Sequence, residues 1–383
     1  MLTPRSLLAR RVVAALDAAP PRIPVLLGGC GTGKTTLVQL LRDRIGRGTT
    51  QYIDVERTAT TPERFFRAVA AASPFPVSDQ VPAGARAAFD ATLAFFSRAR
   101  TGSGEPAAFV LDEFLELRTF ESFPGLRRVL HDLIDGLAAS SNRIVLTSRY
   151  TARAARLLRD VSGRFEVIQM PPLTAEDTLD MLGLPAARET HEADYLARTV
   201  QTLADGRPIY VRAIADELAS ARDHGGPEST DPISALASVL APDGRLARHC
   251  NFCYELRLHR ARGYGALKAI LEILAEEEGL TLTEISIRLQ RTPGSTKDYL
   301  SWLEDVDLVT SRQKRYSFTD PLLRLWVRLH CRPSAPTEDD LAREIHRYAL
   351  PRLPPHEAVE RPLEQPAEPA YALAGSSGII EID

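Results

Sequence analysis

The sequence has few of the features that mark secreted, membrane or strongly basic proteins. Only four cysteines occur among 383 residues, too few and too scattered for a disulfide framework. No apolar run approaches the roughly 20 residues needed to cross a bilayer, and Arg10 and Arg11 interrupt the apolar N-terminal stretch before it could form a signal peptide. A formal net charge of −3 gives no overall attraction for nucleic acid or anionic lipid. These absences predict a soluble, cytoplasmic protein without membrane contact.

What the sequence does contain is typical of globular domains. It is 44% hydrophobic and 25% charged, and its length predicts two or three domains. In the first 170 residues, short apolar runs such as IPVLLGG, AAFVLDEF and NRIVLTSR alternate with amphipathic segments. This alternation predicts an α/β core with a mostly parallel sheet and helices on both faces. After about residue 173 the pattern becomes helical.

The stretch GGCGTGKTT, residues 28–36, lies between a predicted strand and a predicted helix. It fits the pattern G-x-x-x-x-G-K-[ST], whose glycines let backbone N–H groups and a helix N-terminus surround a phosphate. Lys34 is expected to reach the β- and γ-phosphates, and the Thr35 hydroxyl to bind Mg²⁺. Cys30 is interpreted as a small residue tolerated in the loop. The candidate nucleotide-binding residues are Gly28, Gly29, Cys30, Gly31, Thr32, Gly33, Lys34, Thr35 and Thr36.

A pair of acids follows a second apolar run. In FVLDEF the apolar run is followed by Asp112 and Glu113, and in a parallel sheet the carboxyl ends of neighbouring strands border the crevice that holds ligands. We predict that Asp112 holds Mg²⁺ through water, and that Glu113 is the general base acting on the attacking water. The paired acids favour hydrolysis over transfer of the phosphoryl group to a second substrate.

At this point the chain resembles the AAA+ class of P-loop ATPases, and more narrowly the STAND-type signalling ATPases and archaeal-type ATPases. The resemblance depends on the loop at 28–36 and on FVLDEF, IVLTSR, GRFEVIQMPPLT, DGRPIY and YSFTDPLLRLWVR. It implies ATP and Mg²⁺ as ligands. It also implies an AAA+ (ASCE) P-loop core at 1–172, a helical lid at 173–223, a helical linker at 224–263, a winged helix-turn-helix at 264–332, and a C-terminal helix with a Pro-rich tail at 333–383.

The resemblance assigns further site residues. IVLTSR is similar to the sensor strand of STAND ATPases, in which Thr147 or Ser148 reports the γ-phosphate and Arg149 adds positive charge. DGRPIY resembles the Gly-x-Pro motif of the lid, in which Pro208 packs beside the base. Arg207 is alternatively the lid arginine that reaches the γ-phosphate of its own chain, and the sequence leaves both assignments open.

Arg164, in GRF, resembles the arginine finger that oligomeric AAA+ proteins supply to a neighbouring subunit. The alternative is a solvated arginine that precedes a strand. This residue is therefore the sequence feature that favours a homo-oligomer.

Residues 264–332 predict three helices, with a turn at 293–295, and a β-hairpin with a basic tip. Between 264 and 330 there are nine Lys and Arg against ten Asp and Glu. Domains that read duplex DNA are usually basic, and here only Arg312, Lys314 and Arg315 form a basic patch. Duplex DNA and a partner protein both remain possible ligands of this module.

The stretch HCNFC, residues 249–253, contains a C-x-x-C spacing, but it lies in a predicted helix without a second such pair. We interpret its thiols as buried and inert.

Two functions follow from these features. The first is a molecular-switch ATPase that couples its nucleotide state to protein assembly or signalling. The second is an oligomeric AAA+ ATPase that acts on DNA through its winged helix. A scaffold with a purely structural nucleotide is a third class, and Glu113 argues against it.

Overall fold

The computed structural model describes residues 4–77, 80, 82–161, 163–184, 190–223, 231–259 and 263–355. The predicted Pro-rich tail beyond residue 355 lies outside these ranges, as do residues 224–230 and 260–262 of the predicted linker at 224–263.

The first 170 residues form a five-stranded sheet. Its strands are β1 (Ile23–Leu27), β2 (Thr50–Asp54), β3 (Ala108–Asp112), β4 (Arg143–Ser148) and β5 (Phe165–Gln169). They are ordered β2-β3-β4-β1-β5, and every pairing is parallel. In the register, Leu27 pairs with Ser148 and Asp54 with Asp112, so the carboxyl ends of β1 to β4 lie along one edge of the sheet. The predicted α/β core is confirmed.

Helices cover both faces of this sheet. They are α1 (Pro4–Leu16), α2 (Lys34–Ile45), α3 (Val55–Thr58), α4 (Pro62–Ala71), α5 (Ala85–Arg98), α6 (Val129–Ala139) and α7 (Thr151–Leu157), with a 3-10 helix at Phe114–Ser122. Alternate strand residues point to opposite faces. On β3, Val110 packs with α1 and α2 in one apolar cluster, whereas Phe109 and Leu111 belong to the larger cluster with α4, α5 and α6. The site at the edge of the sheet is therefore supported by two packed layers.

The following part of the chain is helical. It comprises α8 (Ala175–Met181), α9 (His191–Leu203), α10 (Pro208–Asp223), α11 (Pro232–Leu240) and α12 (Arg245–Leu258). The start of α10 touches the loop after β1, because Ile209 N donates to Gly31 O at 3.4 Å.

The C-terminal part combines helices with a small sheet. Its elements are α13 (Tyr264–Glu276), β6 (Leu280–Thr281), α14 (Leu282–Leu289), α15 (Pro293–Asp305), β7 (Val309–Arg312), β8 (Arg315–Phe318), α16 (Pro321–His330) and α17 (Glu338–Ala349), with a 3-10 turn at Leu350–Arg352. The strands are ordered β6-β8-β7 and are antiparallel. The three predicted helices and the hairpin are present.

One prediction in this part is wrong. Residues 293–295 are the first turn of α15 and not a separate turn between helices. Thr292 caps the helix by accepting from Ser295 N at 3.4 Å, and Pro293 occupies the first helical position, where its missing N–H costs no hydrogen bond.

Within the described ranges, no helix combines the length and the apolar character needed to cross a lipid bilayer.

Candidate functional site

The loop between β1 and α2 has a tightly constrained backbone. Gly31 and Gly33 have φ values of 76° and 85°, in the left-handed region where glycine is favoured. At Gly31 a side chain is also excluded by space, because an added Cβ would lie 2.3 Å from Cγ2 of Ile209. The loop therefore depends on glycine for its own shape and for its close contact with α10.

Lys34 is the first residue of α2, and its ammonium group turns back into the loop. Nζ donates to Gly28 O at 2.6 Å and to Gly29 O at 3.2 Å, and lies 3.4 Å from Glu113 Oε1. The side chain is buried. This cation inside a glycine loop can exchange carbonyl oxygens for the oxygens of a bound phosphate.

Thr35 and Asp112 meet as the sequence predicts. Thr35 Oγ1 donates to Asp112 Oδ2 at 3.0 Å, although the two residues lie on different elements. A hydroxyl beside a carboxylate provides the oxygen ligands that Mg²⁺ prefers. The donor set therefore fits a magnesium ion that is held mainly by water and by a bound phosphate.

Two further side chains hold this carboxylate. Tyr52 on β2 donates to Asp112 Oδ2 at 2.6 Å, and Thr147 donates to Asp112 Oδ1. Burial, followed by the hydrogen bond to Asp112, raises the pKa of Tyr52, so the phenol remains a donor at neutral pH. Thr147 is fully buried, and its hydroxyl also accepts from Glu113 N at 3.0 Å. The Thr147 hydroxyl thus holds both Asp112 and Glu113 in place. Ser148, the other predicted sensor hydroxyl, accepts from Tyr150 N.

Glu113 follows β3 in a left-handed conformation, with φ of 58°. Such a backbone is uncommon for a residue with a side chain and is typical of functional sites. Its carboxylate lies between two cations. Oε1 faces Lys34, while Oε2 accepts from Arg149 N at 2.8 Å and lies 3.1 Å from Arg149 Nε. The predicted base is therefore neutralised by two charges in this structure.

Arg149, at the end of β4, also pairs with Glu56 on α3. Burial alone would lower the pKa of Arg149, but the charges of Glu113 and Glu56 more than offset it, and the pKa is raised. The guanidinium is thus a permanent charge at the edge of the site. Sequence reasoning missed Glu56, because nothing near it in sequence indicates a contact with β4.

Arg207 and Pro208 lie where the lid meets the loop. Pro208 begins α10 and lines a cavity of about 550 Å³ together with Lys34, Thr35 and Glu113. Arg207 is buried, and NH1 lies 2.8 Å from Asp320 Oδ2 and donates to Cys30 O at 3.4 Å. NH2 donates to Thr319 O at 3.2 Å. Arg207 therefore connects the phosphate loop to the C-terminal part.

Asp320 is a second residue that sequence reasoning missed. Besides Arg207, its carboxylate accepts from Tyr210 OH at 2.7 Å and caps α16 through Leu322 N and Leu323 N. The only sequence signal was its place before a proline in FTDP, which indicates a helix start but not a partner.

Arg164 lies at the other end of the sheet from the loop. It immediately precedes β5, and its carbonyl accepts from Ile23 N at the start of β1. Its guanidinium donates to the carbonyl oxygens of Pro21, Ala138 and Ser140. In this chain the side chain thus connects the start of β1 with the segment that follows α6.

The helix α12 forms a wall of the cavity that the sequence did not indicate. His249, Phe252, Cys253 and Leu256 all line it. Phe252 is 63% exposed. Among the residues described, no cluster of three His, Cys, Asp or Glu side chains is arranged to hold a metal ion. Cys250 and Cys253 are both buried, as predicted, and Cys253 lies beside the phosphate loop.

The fold is similar to that of a solved ATPase structure. A Walker-type ATPase of Pyrococcus abyssi superposes with a TM-score of 0.61 at 16% identity, and the match covers 85% of this chain and 96% of that one. The Orc1 protein of Aeropyrum pernix in complex with DNA gives 0.46 at 17% identity, over 91% and 93%. Cdc6p of Pyrobaculum aerophilum gives 0.43 at 16%, over 92% and 96%. No family model and no curated protein matches the chain. The first of these structures shows the expected P-loop ATPase fold.

Proposed function

We propose that this chain is an Mg²⁺-dependent ATPase that acts as a nucleotide-controlled switch. The single observation that carries the proposal is the position of Arg207, which touches the phosphate loop at Cys30 O and the C-terminal part at Asp320. One guanidinium thus links the site where phosphate would bind to the module that would report it.

In this proposal, the loop at 28–36 binds the phosphates of ATP. The N–H groups at the start of α2 and the Lys34 ammonium face the anion, and Thr35 and Asp112 hold the metal. When bound, Mg²⁺ would offset charge that develops on the phosphates during hydrolysis. The apolar surface of Pro208 and Ile209 provides a place for the base at the lid side of the same cavity.

Glu113 is the general base of the proposed reaction. Its carboxylate is paired with Lys34 and Arg149 in this arrangement. A γ-phosphate entering the site would attract both cations and leave the carboxylate free to accept a proton from water. Hydrolysis would then depend on correctly bound triphosphate, and we expect slow turnover.

The switch depends on competition for Arg207. Burial would lower the pKa of Arg207, but the charge of Asp320 helps to raise it, so the guanidinium stays charged in either position. In this structure it pairs with Asp320. A bound triphosphate offers a stronger anion, and moving Arg207 toward it would weaken the contact between α10 and the C-terminal part.

We further propose that residues 264–332 are a winged helix whose main partner is a protein. In α15, Thr296 is fully buried and Asp298 is exposed, which makes a poor surface for reading DNA. The exposed tip of the β7–β8 hairpin, with Arg312, Lys314 and Arg315, is the observation that favours duplex DNA instead. For Arg164 to act on the nucleotide of a neighbouring subunit, it would first have to break its hydrogen bonds to three carbonyl oxygens. We therefore assign the positive charges near the nucleotide to Arg149 and Arg207 of the same chain.

Calorimetry tests binding, and small-angle scattering tests the switch. We expect Mg-ATP to bind the full chain, and the scattering profile to differ between the ATP-analogue and ADP forms. Folded protein that binds no adenine nucleotide would contradict the ATPase proposal. Identical profiles in all nucleotide states would contradict the switch alone.

Duplex DNA is tested by titration of the same protein. We expect neither a concentration-dependent rise in the ATPase rate nor stimulation by duplex DNA. A rate that increases with both, and that falls when Lys314 is changed to Glu, would support the DNA-acting oligomer instead.

A further inference from the structure

Two thiols meet at the tip of the phosphate loop. Cys30 lies between Gly29 and Gly31, and Cys253 lies on α12. Their side chains lie close enough for each thiol to act on the pKa of the other. Both residues line the cavity beside the loop, and Cys30 is partly exposed whereas Cys253 is buried. Neither is in a disulfide in this structure.

The surroundings favour a thiolate on Cys30. The hydrogen bond from Cys253 and the charges of Arg257 and Arg149 hold the pKa of Cys30 well below its usual range, although burial opposes this. Arg257 is only 3% exposed and donates through NH1 to Asp307 O at 3.2 Å, so its charge is fixed close to the sulfur.

The other two thiols lie in different surroundings. Burial raises the pKa of Cys250, and it raises the pKa of Cys331 to about 11. Both are therefore protonated at neutral pH and react slowly, because the thiolate is the nucleophile. The chain thus contains an internal comparison between one activated thiol and two inert ones.

A proton acceptor for Cys253 is also present. His249 Nε2 lies 3.4 Å from Cys253 Sγ, one helical turn away on α12. Burial lowers the pKa of His249, so its imidazole is neutral at neutral pH and can accept a proton.

We propose that Cys30 and Cys253 are a modification site, at which a hydroperoxide forms a disulfide that ties the phosphate loop to α12. The Cys30 thiolate attacks the peroxide, so that an S–O bond forms, the O–O bond breaks and the leaving oxygen departs as hydroxide or alkoxide, which takes a proton from water. Cys253 sulfur then attacks Cys30 sulfur and passes its proton to His249. The S–S bond forms, the S–O bond breaks, and the leaving hydroxide takes the proton from His249 and is released as water. The two thiols lose two electrons and the peroxide gains them.

The disulfide has a consequence for the site that rests on the proposed nucleotide binding. An S–S bond is about 2.05 Å long and draws the two sulfurs together, so the disulfide ties the phosphate loop to α12. The cavity lies between them. Oxidation therefore narrows the entrance to the phosphate site and weakens nucleotide binding.

The chemistry is tested first without nucleotide. The reduced full chain is treated with hydrogen peroxide, alkylated under denaturing conditions and mapped by mass spectrometry. We expect a Cys30–Cys253 cross-linked peptide that dithiothreitol cleaves, and Cys30 oxidised at least tenfold faster than Cys331 in the same molecule. If all four thiols remain free, or if Cys30 and Cys331 oxidise at equal rates, the modification site is ruled out.

A variant separates the two steps. In Cys253→Ser we expect no cross-link, and Cys30 should stop at a sulfenic acid that dimedone traps. Cys331→Ser, the matched control, should form the cross-link as the wild type does. A dimedone adduct on Cys30 that is equally abundant in the wild type and in Cys253→Ser would show that Cys253 does not resolve the intermediate.

The effect on nucleotide is measured last. We expect the oxidised protein to bind a fluorescent ATP analogue with magnesium at least tenfold more weakly than the reduced protein, and dithiothreitol to restore the affinity. Equal affinities of the oxidised and reduced proteins for the ATP analogue would show that the disulfide does not narrow the phosphate site. If the reduced protein itself binds no nucleotide, the proposed ATPase function fails, whereas the peptide map still decides the disulfide.

Discussion

The phosphate site takes its main residues from three short stretches, the loop at 28–36 and the ends of β3 and β4. The contact that the C-terminal part makes with the rest of the chain is built differently. There, single residues from distant positions meet: Arg207 with Asp320, and Asp307 with the N-terminus of α7. The first region can be recognised as a pattern because its geometry is local. The second has no pattern, because each partner is an ordinary charged residue in its own segment.

The two regions also differ in what their charges do. At the phosphate site, Lys34 and Arg149 are held by Glu113 and are available to a ligand of opposite charge. At the contact, Asp320 is buried and satisfied by Arg207, Tyr210 and the N-terminus of α16. Changes in the first region should therefore alter binding and rate, whereas changes in the second should alter stability and the arrangement of the parts.

Lys34→Ala should have the largest effect. It removes the cation inside the loop, so we expect Mg-ATP affinity to fall about 1000-fold, with the melting temperature nearly unchanged. Calorimetry and thermal unfolding measure the two quantities. Lys297→Ala, an exposed lysine of α15, is the control and should bind like the wild type. Wild-type Mg-ATP affinity in Lys34→Ala would show that the loop at 28–36 does not bind the phosphates of ATP.

Glu113→Gln should come next. Loss of the general base is expected to slow hydrolysis about 100- to 1000-fold while ATP still binds, which single-turnover assays with labelled ATP measure. Glu121→Gln alters an exposed acid a few residues away and should hydrolyse at the wild-type rate. A Glu113→Gln protein with full activity would show that another group accepts the proton.

Asp320→Asn tests the contact between Arg207 and Asp320. Asparagine can still cap α16, so the change mainly removes the charge opposite Arg207. We expect about 3 kcal/mol lower free energy of unfolding, because the buried Arg207 loses its nearer counter-charge and keeps only the more exposed Asp205, 3.6 Å from Nε. Urea unfolding measures this. The half-exposed Arg156–Asp305 pair also joins the C-terminal part to the rest of the chain, and Asp305→Asn should cost less than about 1 kcal/mol. Equal losses in both variants would mean that burial does not distinguish the two pairs.

The smallest effect concerns pH. Burial raises the pKa of Asp307, although donation from Thr151 and Ala152 opposes this. A raised folded-state pKa means that the folded protein holds the proton more firmly than the unfolded chain. Its contribution to stability is thus present below the usual aspartate range and is lost as pH rises through the folded value.

Asp307→Asn should remove this dependence. The unfolding free energy of the wild type, relative to the variant, should fall between pH 4 and pH 7 by about 1.4 kcal/mol for each unit by which the pKa is raised. Urea titrations at the two pH values measure the difference, and contributions of other groups cancel in it. A difference that stays constant or grows with pH would show that the hydrogen bonds at α7 outweigh burial.

Much of the site was predictable because its residues belong to local patterns. The order of strands and helices gave the parallel sheet, and a parallel sheet brings the ends of its strands to one edge. Lys34, Thr35, Asp112 and Glu113 could therefore be placed together from sequence, and the contact of Thr35 with Asp112 agrees. The roles of Arg164, Arg207 and Pro208 were taken from a resemblance and stay predictions.

The sequence alone determined what depends on backbone geometry and short spacing: a glycine loop at a strand–helix junction, acids at a strand end, and three helices followed by a hairpin. Only the tertiary structure decided that Tyr52 holds Asp112, that Glu56 holds Arg149, that Asp320 holds Arg207, and that Cys253 meets Cys30. The physical reason is that such contacts depend on how distant elements pack. A buried charge, phenol or thiol pairs with whichever partner that packing brings within reach. The residues beside it in sequence do not indicate which partner that is.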